Sequence, residues 1–213
     1  MGKIVVFGAG GRAGRRVVAE AASRGHAVTA VVRDPGAWTA PADERVAVVA
    51  GDVTDAASVA AVATGHDAAV TAAARLDVPA VDFYTAATRA LTTGLGAAGV
   101  PRLVLVGIGS ALEVAPGSRM LDDPGFPADH RAFALGHVAQ LDVLADASLD
   151  WVVLAPPPVF LDDSAARTGC YRTGGRAVLS PPSASFSYAD LAVALVDEAE
   201  APRHHRALVA VGT

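Results

Sequence analysis

Seven residues near the amino terminus, Gly8-Ala9-Gly10-Gly11-Arg12-Ala13-Gly14, satisfy two glycine spacings at once. They read G-x-G-x-x-A at positions 8, 10 and 13, and G-x-x-G-x-x-G at 8, 11 and 14. Glycines at these intervals allow a turn with unusual dihedrals, a backbone that can approach a pyrophosphate, and close packing of helix on strand. The β-branched run Lys3–Phe7 leads into the loop, and residues 12–24 leave it with Ala13, Val17, Val18 and Ala21 at helical spacing. A helix opening from such a loop presents free N–H groups and a positive dipole end to phosphate. The order strand, glycine loop, helix turns a weak pattern into a strong sign of a dinucleotide site.

The second strand, Ala27–Val32, points to which dinucleotide. NAD-selective sites place an acid at its end, about 20 residues beyond the glycines, on the ribose 2′-hydroxyl. Here the chain reads Val31-Val32-Arg33-Asp34-Pro35. The Arg33 guanidinium can pair with a 2′-phosphate and stack on adenine, and Arg12 offers a second cation. NADP(H) is therefore expected, with NAD(H) the lesser alternative if Asp34 binds the ribose. Asp52 and Val53, after the third strand, are placed to border the adenine, although Asp52 equally suits a turn or helix cap. Ala72 and Ala73, after the fourth strand, complete the contacts expected on this side of the cofactor.

The elements that position these residues alternate along the chain. Strands are expected at 3–7, 27–32, 46–50, 67–71, 102–106, 151–154 and 207–211. Helices are expected at 12–24, 55–63 (capped by Thr54), 80–98, 129–147 and 187–200. Strand–helix alternation implies parallel pairing through right-handed crossovers, hence an α/β, Rossmann-like doubly wound parallel sheet. The pattern lapses after Pro156-Pro157-Pro158. Residues 155–186 read as a small irregular lobe over the crevice, with a hairpin at 171–179 turning at Gly174-Gly175. The whole chain, 1–213, is expected to form one domain.

Composition excludes several function classes. The 213 residues are 52% apolar and 5% aromatic, with a net charge of −5 and no basic block, which argues against a nucleic-acid partner. Cys170 is the single cysteine, so neither a disulfide framework nor a thiolate metal site is expected, and a half-buried structural role is. The amino-terminal apolar run is too short for a membrane span and lacks the layout of a signal peptide, which suggests the cytoplasm. His204-His205, beside Arg203 and Arg206, reads as a solvated turn, and no cluster has metal-ligand spacing.

With these residues in view, the chain resembles the atypical short-chain dehydrogenases/reductases, in particular the NAD(P)H-binding, NmrA-like branch often labelled NADH-flavin reductase. The resemblance covers nearly the whole length. It rests on the glycine loop, Arg33-Asp34-Pro35, Gly51-Asp52-Val53, Ala87-Thr88-Arg89-Ala90-Leu91 and the stretch 109–117, the most specific of these. Leu149-Asp150-Trp151, Arg167-Thr168-Gly169 and residues 188–194 extend it. It implies a Rossmann domain that binds NADP(H) and reduces a small-molecule acceptor such as a flavin or quinone, as monomer or homodimer. It also implies that the backbone at Pro156 borders the nicotinamide. Standard members of the superfamily use a Ser with a Tyr and a Lys four residues apart, the Lys lowering the Tyr pKa. Ser110 occupies the Ser position, but the Tyr-x-x-x-Lys place reads Phe133-Ala134-Leu135-Gly136-His137. Phe133 cannot move a proton. His137 could donate to the nicotinamide ribose or could simply be a structural histidine. Tyr84 and His130 are weaker candidates. Losing the Tyr–Lys pair keeps a second reading open, a non-enzymatic NADP(H)-binding redox sensor. Hydride transfer to a flavin, however, needs mainly positioning of two flat rings.

Overall fold

The structure, a computed structural model, describes residues 2–39, 43–159 and 161–213. Strand β1 (Lys3–Phe7) is apolar beyond its first residue because the sheet is covered on both faces. Ile4 and Val6 enter one core while Val5 and Phe7 enter the other. Helix α1 (Arg12–Ser23) lays Val17, Val18, Ala21 and Ala22 on the first core and ends before Gly25, whose φ of +87° terminates the turn. Strands β2 (Ala27–Val32) and β3 (Val46–Ala50) follow as expected. Helix α2 (Ala56–Ala63) is capped one residue later than the sequence suggested: Asp55, not Thr54, accepts from the Ala57 N–H at 3.0 Å.

The second half repeats the alternation with β4 (Ala68–Thr71), α3 (Ala80–Ala98) and β5 (Arg102–Val106). A short hairpin, β6 (Glu113–Ala115) and β7 (Ser118–Arg119), reverses at Gly117 with φ +74°. Then come α4 (Ala128–Ala145), β8 (Asp150–Ala155), β9 (Arg172–Thr173), α5 (Tyr188–Glu200) and β10 (Ala207–Gly212). The eight-stranded sheet runs β3-β2-β1-β4-β5-β8-β10-β9, parallel throughout except for β9. Helices α1 and α5 pack together on one face, with α2, α3 and α4 on the other. The chain winds outward to one side from β1 and to the other from β4, so the carboxyl ends of these two neighbours form the switch point of a doubly wound α/β fold.

Three expectations change. The hairpin expected at 171–179 does not form. β9 pairs with β10, placing Thr173 opposite Val211, and the chain beyond Gly174-Gly175 pairs with Glu113 instead, whose carbonyl accepts from the Val178 N–H. The two arms found different partners because each reaches an otherwise open strand edge. Cys170 is exposed, since this stretch lies outside the sheet. His204 is half-buried rather than solvated, its Nδ1 2.7 Å from Glu198 Oε1; His205 is exposed, 2.9 Å from Asp150 Oδ2.

The irregular stretch is tied down by buried acids. Glu20 of α1 receives both Nε and Nη2 of Arg167, at 2.7 and 2.8 Å. Asp190 of α5 accepts the Thr168 and Gly169 N–H groups at 2.9 and 2.8 Å, together with the Thr168 and Ser187 hydroxyls. The Arg167-Thr168-Gly169 and 188–194 segments are therefore two halves of one joint.

Candidate functional site

The glycine loop leaves β1 at the switch point. Gly8 has φ +73°, and a Cβ there would stand 2.6 Å from the backbone N and Cα of Ala73, just past β4. A Cβ on Gly14 would stand 2.1 Å from the Gly8 carbonyl oxygen. Both glycines are thus demanded by the protein's own backbone, and Ala72 and Ala73 lie against the loop. Gly10 is different. Its Cβ would meet only side-chain atoms of Val32 and Trp38, at 3.6 and 3.8 Å, so internal packing does not require a glycine there. Gly11 is the N-cap of α1 and offers no side-chain bond to the first turn, which leaves N–H groups free; Ala13 packs inward.

Charge makes the same point. The first turn of α1 holds no acid but carries Arg12 and Arg15, and Arg16 follows. Cations at the positive end of a helix are unfavourable unless an anion joins them. Arg15 turns back to the Gly10 and Gly11 carbonyls at 3.3 Å, and Arg16 reaches Asp163. The Arg12 guanidinium lies 5.3 Å from the Tyr188 ring centroid and has no ion-pair partner among the described residues. Uncapped amides and an unpaired guanidinium at the mouth of the loop fit a pyrophosphate.

Beyond Gly10, a cavity of about 350 Å³ is walled by Val32, Arg33, Asp34, Ala37 and Trp38. Arg33 is exposed there. Asp34 is turned into its own turn, its Oδ1 accepting from the Gly36 N–H at 2.9 Å. Asp52 takes the turn role, with Oδ1 accepting from Thr54 Oγ1 at 2.6 Å and from the Thr54 N–H at 2.8 Å. Those bonds hold its carboxyl below the usual range, and the charges of Arg75 and Arg33 add to the effect. Val53 joins Ala73, Phe83, Tyr84 and Ala87 in an apolar cluster on the α3 side. Arg75, paired with Asp77 and holding that carboxyl at about 2, was missed in the sequence, as were Trp38 and Tyr188. Each sits in a loop or at a helix start with no periodic pattern to mark it.

Ser110 follows β5 in a short 3-10 turn. It is 5% exposed, and its Oγ is buried without a hydrogen-bond partner. An orphaned buried hydroxyl costs free energy unless something else completes it. Gly109 brings this turn onto the Pro156–Pro158 backbone: a Cβ would stand 2.5 Å from the Pro156 oxygen and 2.6 Å from the Pro158 nitrogen.

His137 lies on α4, 5% exposed, within an aromatic group. Its ring centroid is 4.1 Å from that of Tyr84 and 5.2 Å from that of Phe133. Burial pulls its pKa down to about 4, so the imidazole is neutral near pH 7. Nδ1 lies 3.3 Å from Gln140 Oε1. With the amide in that orientation Nδ1 carries the proton, and Nε2 is left as an acceptor rather than the expected donor. Burial also raises the Tyr84 pKa, keeping that phenol protonated. His130 stands exposed at the start of α4. Among the described residues no group of three or more His, Cys, Asp or Glu is placed to hold a metal, and no helix is long and apolar enough to cross a membrane.

Known proteins are similar to this chain in sequence and fold. The Bacillus subtilis protein YwnB is 34% identical over 208 residues, spanning 95% of this chain and 94% of the relative. A crystal structure from Burkholderia pseudomallei, described as a proposed exported protein, superposes with TM-score 0.86 at 38% identity over the full length of both chains. A proposed NADH-flavin reductase from Streptococcus pneumoniae superposes with TM-score 0.85 at 27% identity, covering 99% of each chain. A family model described as NAD(P)H-binding matches residues 8–202, from the first loop glycine to beyond α5. The match begins at the residue whose backbone closes the switch point and takes in every candidate residue described above: the chain belongs to the NAD(P)H-binding family.

Proposed function

We propose that the protein is an NADPH-dependent oxidoreductase that passes a hydride to a flavin, a quinone or a similar conjugated acceptor. The observation that carries this reading is the buried, unpartnered Ser110 hydroxyl at the carboxyl end of β5, in the turn whose Gly109 packs on the Pro156–Pro158 backbone. The name of the pneumococcal relative points the same way. In this reading Gly10, Gly11 and Ala13 lay their backbone along the pyrophosphate while Gly8 and Gly14 shape the loop. Arg33 and Arg12 take up phosphate charge, with Ala72, Ala73 and Val53 beside the dinucleotide and Asp52 supporting the adenine-side turn. The reading of NADPH over NADH is supported by Arg33 at the cavity wall, beside an Asp34 carboxylate whose Oδ1 already accepts from the Gly36 N–H.

When bound, the nicotinamide supplies a hydride, two electrons and one hydrogen nucleus, and one further proton completes acceptor reduction. Ser110 Oγ donates to a carbonyl at the reacting end of the crevice. His137, neutral, accepts from a ribose hydroxyl through Nε2 and fixes the ring plane. Phe133 excludes water and moves no proton, so the second proton comes from solvent.

The test is direct. Purified protein is mixed with NADPH or NADH, and nicotinamide oxidation is followed across a panel of flavins and quinones. Turnover faster with NADPH, and lost in Ser110→Ala, is expected. A redox sensor is the second reading, favoured by the aromatic packing of Tyr84, Phe133 and His137 where a proton relay would stand. Tight NADPH binding without turnover on any acceptor would establish it instead.

A further inference from the structure

A second cavity, of about 100 Å³, lies beneath the irregular stretch at the carboxyl ends of β8 and β10. Its walls are apolar: Leu112 and Met120 from the segment after Ser110, Pro157 from the end of β8, Val178 and Leu179 from the lobe, and Val211 from β10. It is continuous in sequence with the candidate site, because Leu112 lies two residues beyond Ser110 and Pro157 directly follows Pro156. Its polar side chain, Ser183, already donates to the Thr213 carbonyl at 2.8 Å.

We propose that this cavity receives the apolar edge of a neutral aromatic acceptor, such as the dimethylbenzene edge of an isoalloxazine or the benzo edge of a naphthoquinone. Two magnitudes select that occupant. A dry apolar cavity of about 150 Å³ accepts a benzene molecule, so one of about 100 Å³ takes a ring edge with its methyl groups and not a whole tricycle. A carboxylate or phosphate would lose its water and find no donor there, because the Ser183 hydroxyl proton is committed, and the two carbonyls of a pyrimidine edge would be left equally unpaired. The ring edge that enters is therefore the apolar one, leaving the heteroatom edge in the crevice on the Ser110 side. This inference rests on the reductase reading for the acceptor's identity, but the cavity can be tested apart from turnover.

Met120 makes that possible. The chain has two methionines, Met1 and Met120, so methyl-13C methionine labelling places one internal probe in the cavity wall. The labelled protein, with NADP+ present, is titrated with menadione and with lumichrome, and in parallel with alloxazine, which lacks the two methyl groups. A saturable shift of the Met120 methyl with menadione and lumichrome, weaker with alloxazine, is expected. Val178→Phe, which fills the cavity from a loop position, should weaken that binding about tenfold or more and leave NADPH affinity unchanged. Val178→Ala serves as the folding control and should retain binding. Turnover of these acceptors with a silent Met120 methyl, or equal affinity in Val178→Phe, overturns the proposal. A saturable Met120 shift without NADPH oxidation upholds the cavity and defeats the reductase reading alone.

Discussion

The two ends of the central sheet are built from the same kinds of side chain and treat them in opposite ways. At the amino end, Arg102 on β5 is 4% exposed and fully partnered. Its Nη1 reaches Asp150 Oδ2 at 2.9 Å, its Nη2 reaches Glu198 Oε2 at 2.8 Å, and His204 and His205 complete the two acids. His26 is likewise closed in by the Gly2 N–H and Glu200. At the carboxyl end, Arg12 and Arg33 lack ion-pair partners among the described residues, the first turn of α1 is uncapped, and the Ser110 hydroxyl is buried and alone. Ion pairs closed within the chain hold the amino end together, although Trp151 Nε1 there and Thr88 Oγ1 on α3 are also buried without a partner, while the carboxyl end keeps cations with no partner of their own among the described residues.

The largest effect should come from breaking the closed end. Glu198→Ala leaves Arg102 buried without its main partner and should cost about 3–5 kcal/mol of unfolding free energy in urea titration. The NADPH affinity of the remaining folded protein should not change. A loss under about 1 kcal/mol, as an exposed pair would give, would mean that the closed end is not closed.

Next comes pH. Burial lowers the His137 pKa from 6.5 to about 4, so the unfolded chain takes up this proton first. The stability it contributes is complete above pH 6.5 and drains as pH falls toward 4, by about 3 kcal/mol in all. Unfolding followed from pH 7 to 4 should lose part of its slope in His137→Gln. Because the imidazole stays neutral, the rate of hydride transfer should show no break near pH 6.5. Such a break in the wild type, absent from the variant, would place His137 in contact with solvent.

At the open end the effects concern binding. Arg33→Ala should weaken NADPH about 10- to 100-fold and leave NADH unchanged, read by fluorescence titration, with no measurable change in stability. Equal weakening of both cofactors would remove Arg33 from the 2′-phosphate. The smallest change should be in the stability of Ser110→Ala: removing an orphaned buried hydroxyl should stabilise the apo protein slightly, by about 1 kcal/mol, while turnover falls. A stability loss of that size would show that the hydroxyl already has a partner.

Much of this architecture was legible in the chain. Short apolar runs rich in valine placed β1, β2, β3 and β5, because strands buried on both faces need no alternation. Helical spacing and Gly99 placed α3 to its last residue. The β6–β7 hairpin was not legible, since its short arms carry no period of their own. The 171–179 segment was misread for a related reason: a turn at Gly174-Gly175 suggests a hairpin, but which edge each arm joins is decided by edges elsewhere in the sheet.

For the candidate site the division is similar. Sequence alone determined the residue types that phosphate recognition needs and the order of strand, loop and helix that presents them, because these depend on neighbours along the chain. The resemblance sets Phe133 at the position where standard members carry a proton donor, and a phenyl ring has no proton to give whatever surrounds it. Tertiary structure alone decided that Gly8 and Gly14 serve the backbone while Gly10 faces the cavity, and that Asp34 caps its own turn through Oδ1. It alone decided that His137 is buried and neutral and that Ser110 is without a partner. Those are statements about which distant atoms come close, and burial and hydrogen-bond satisfaction exist only once β1, β4, β5 and β8 have been brought side by side.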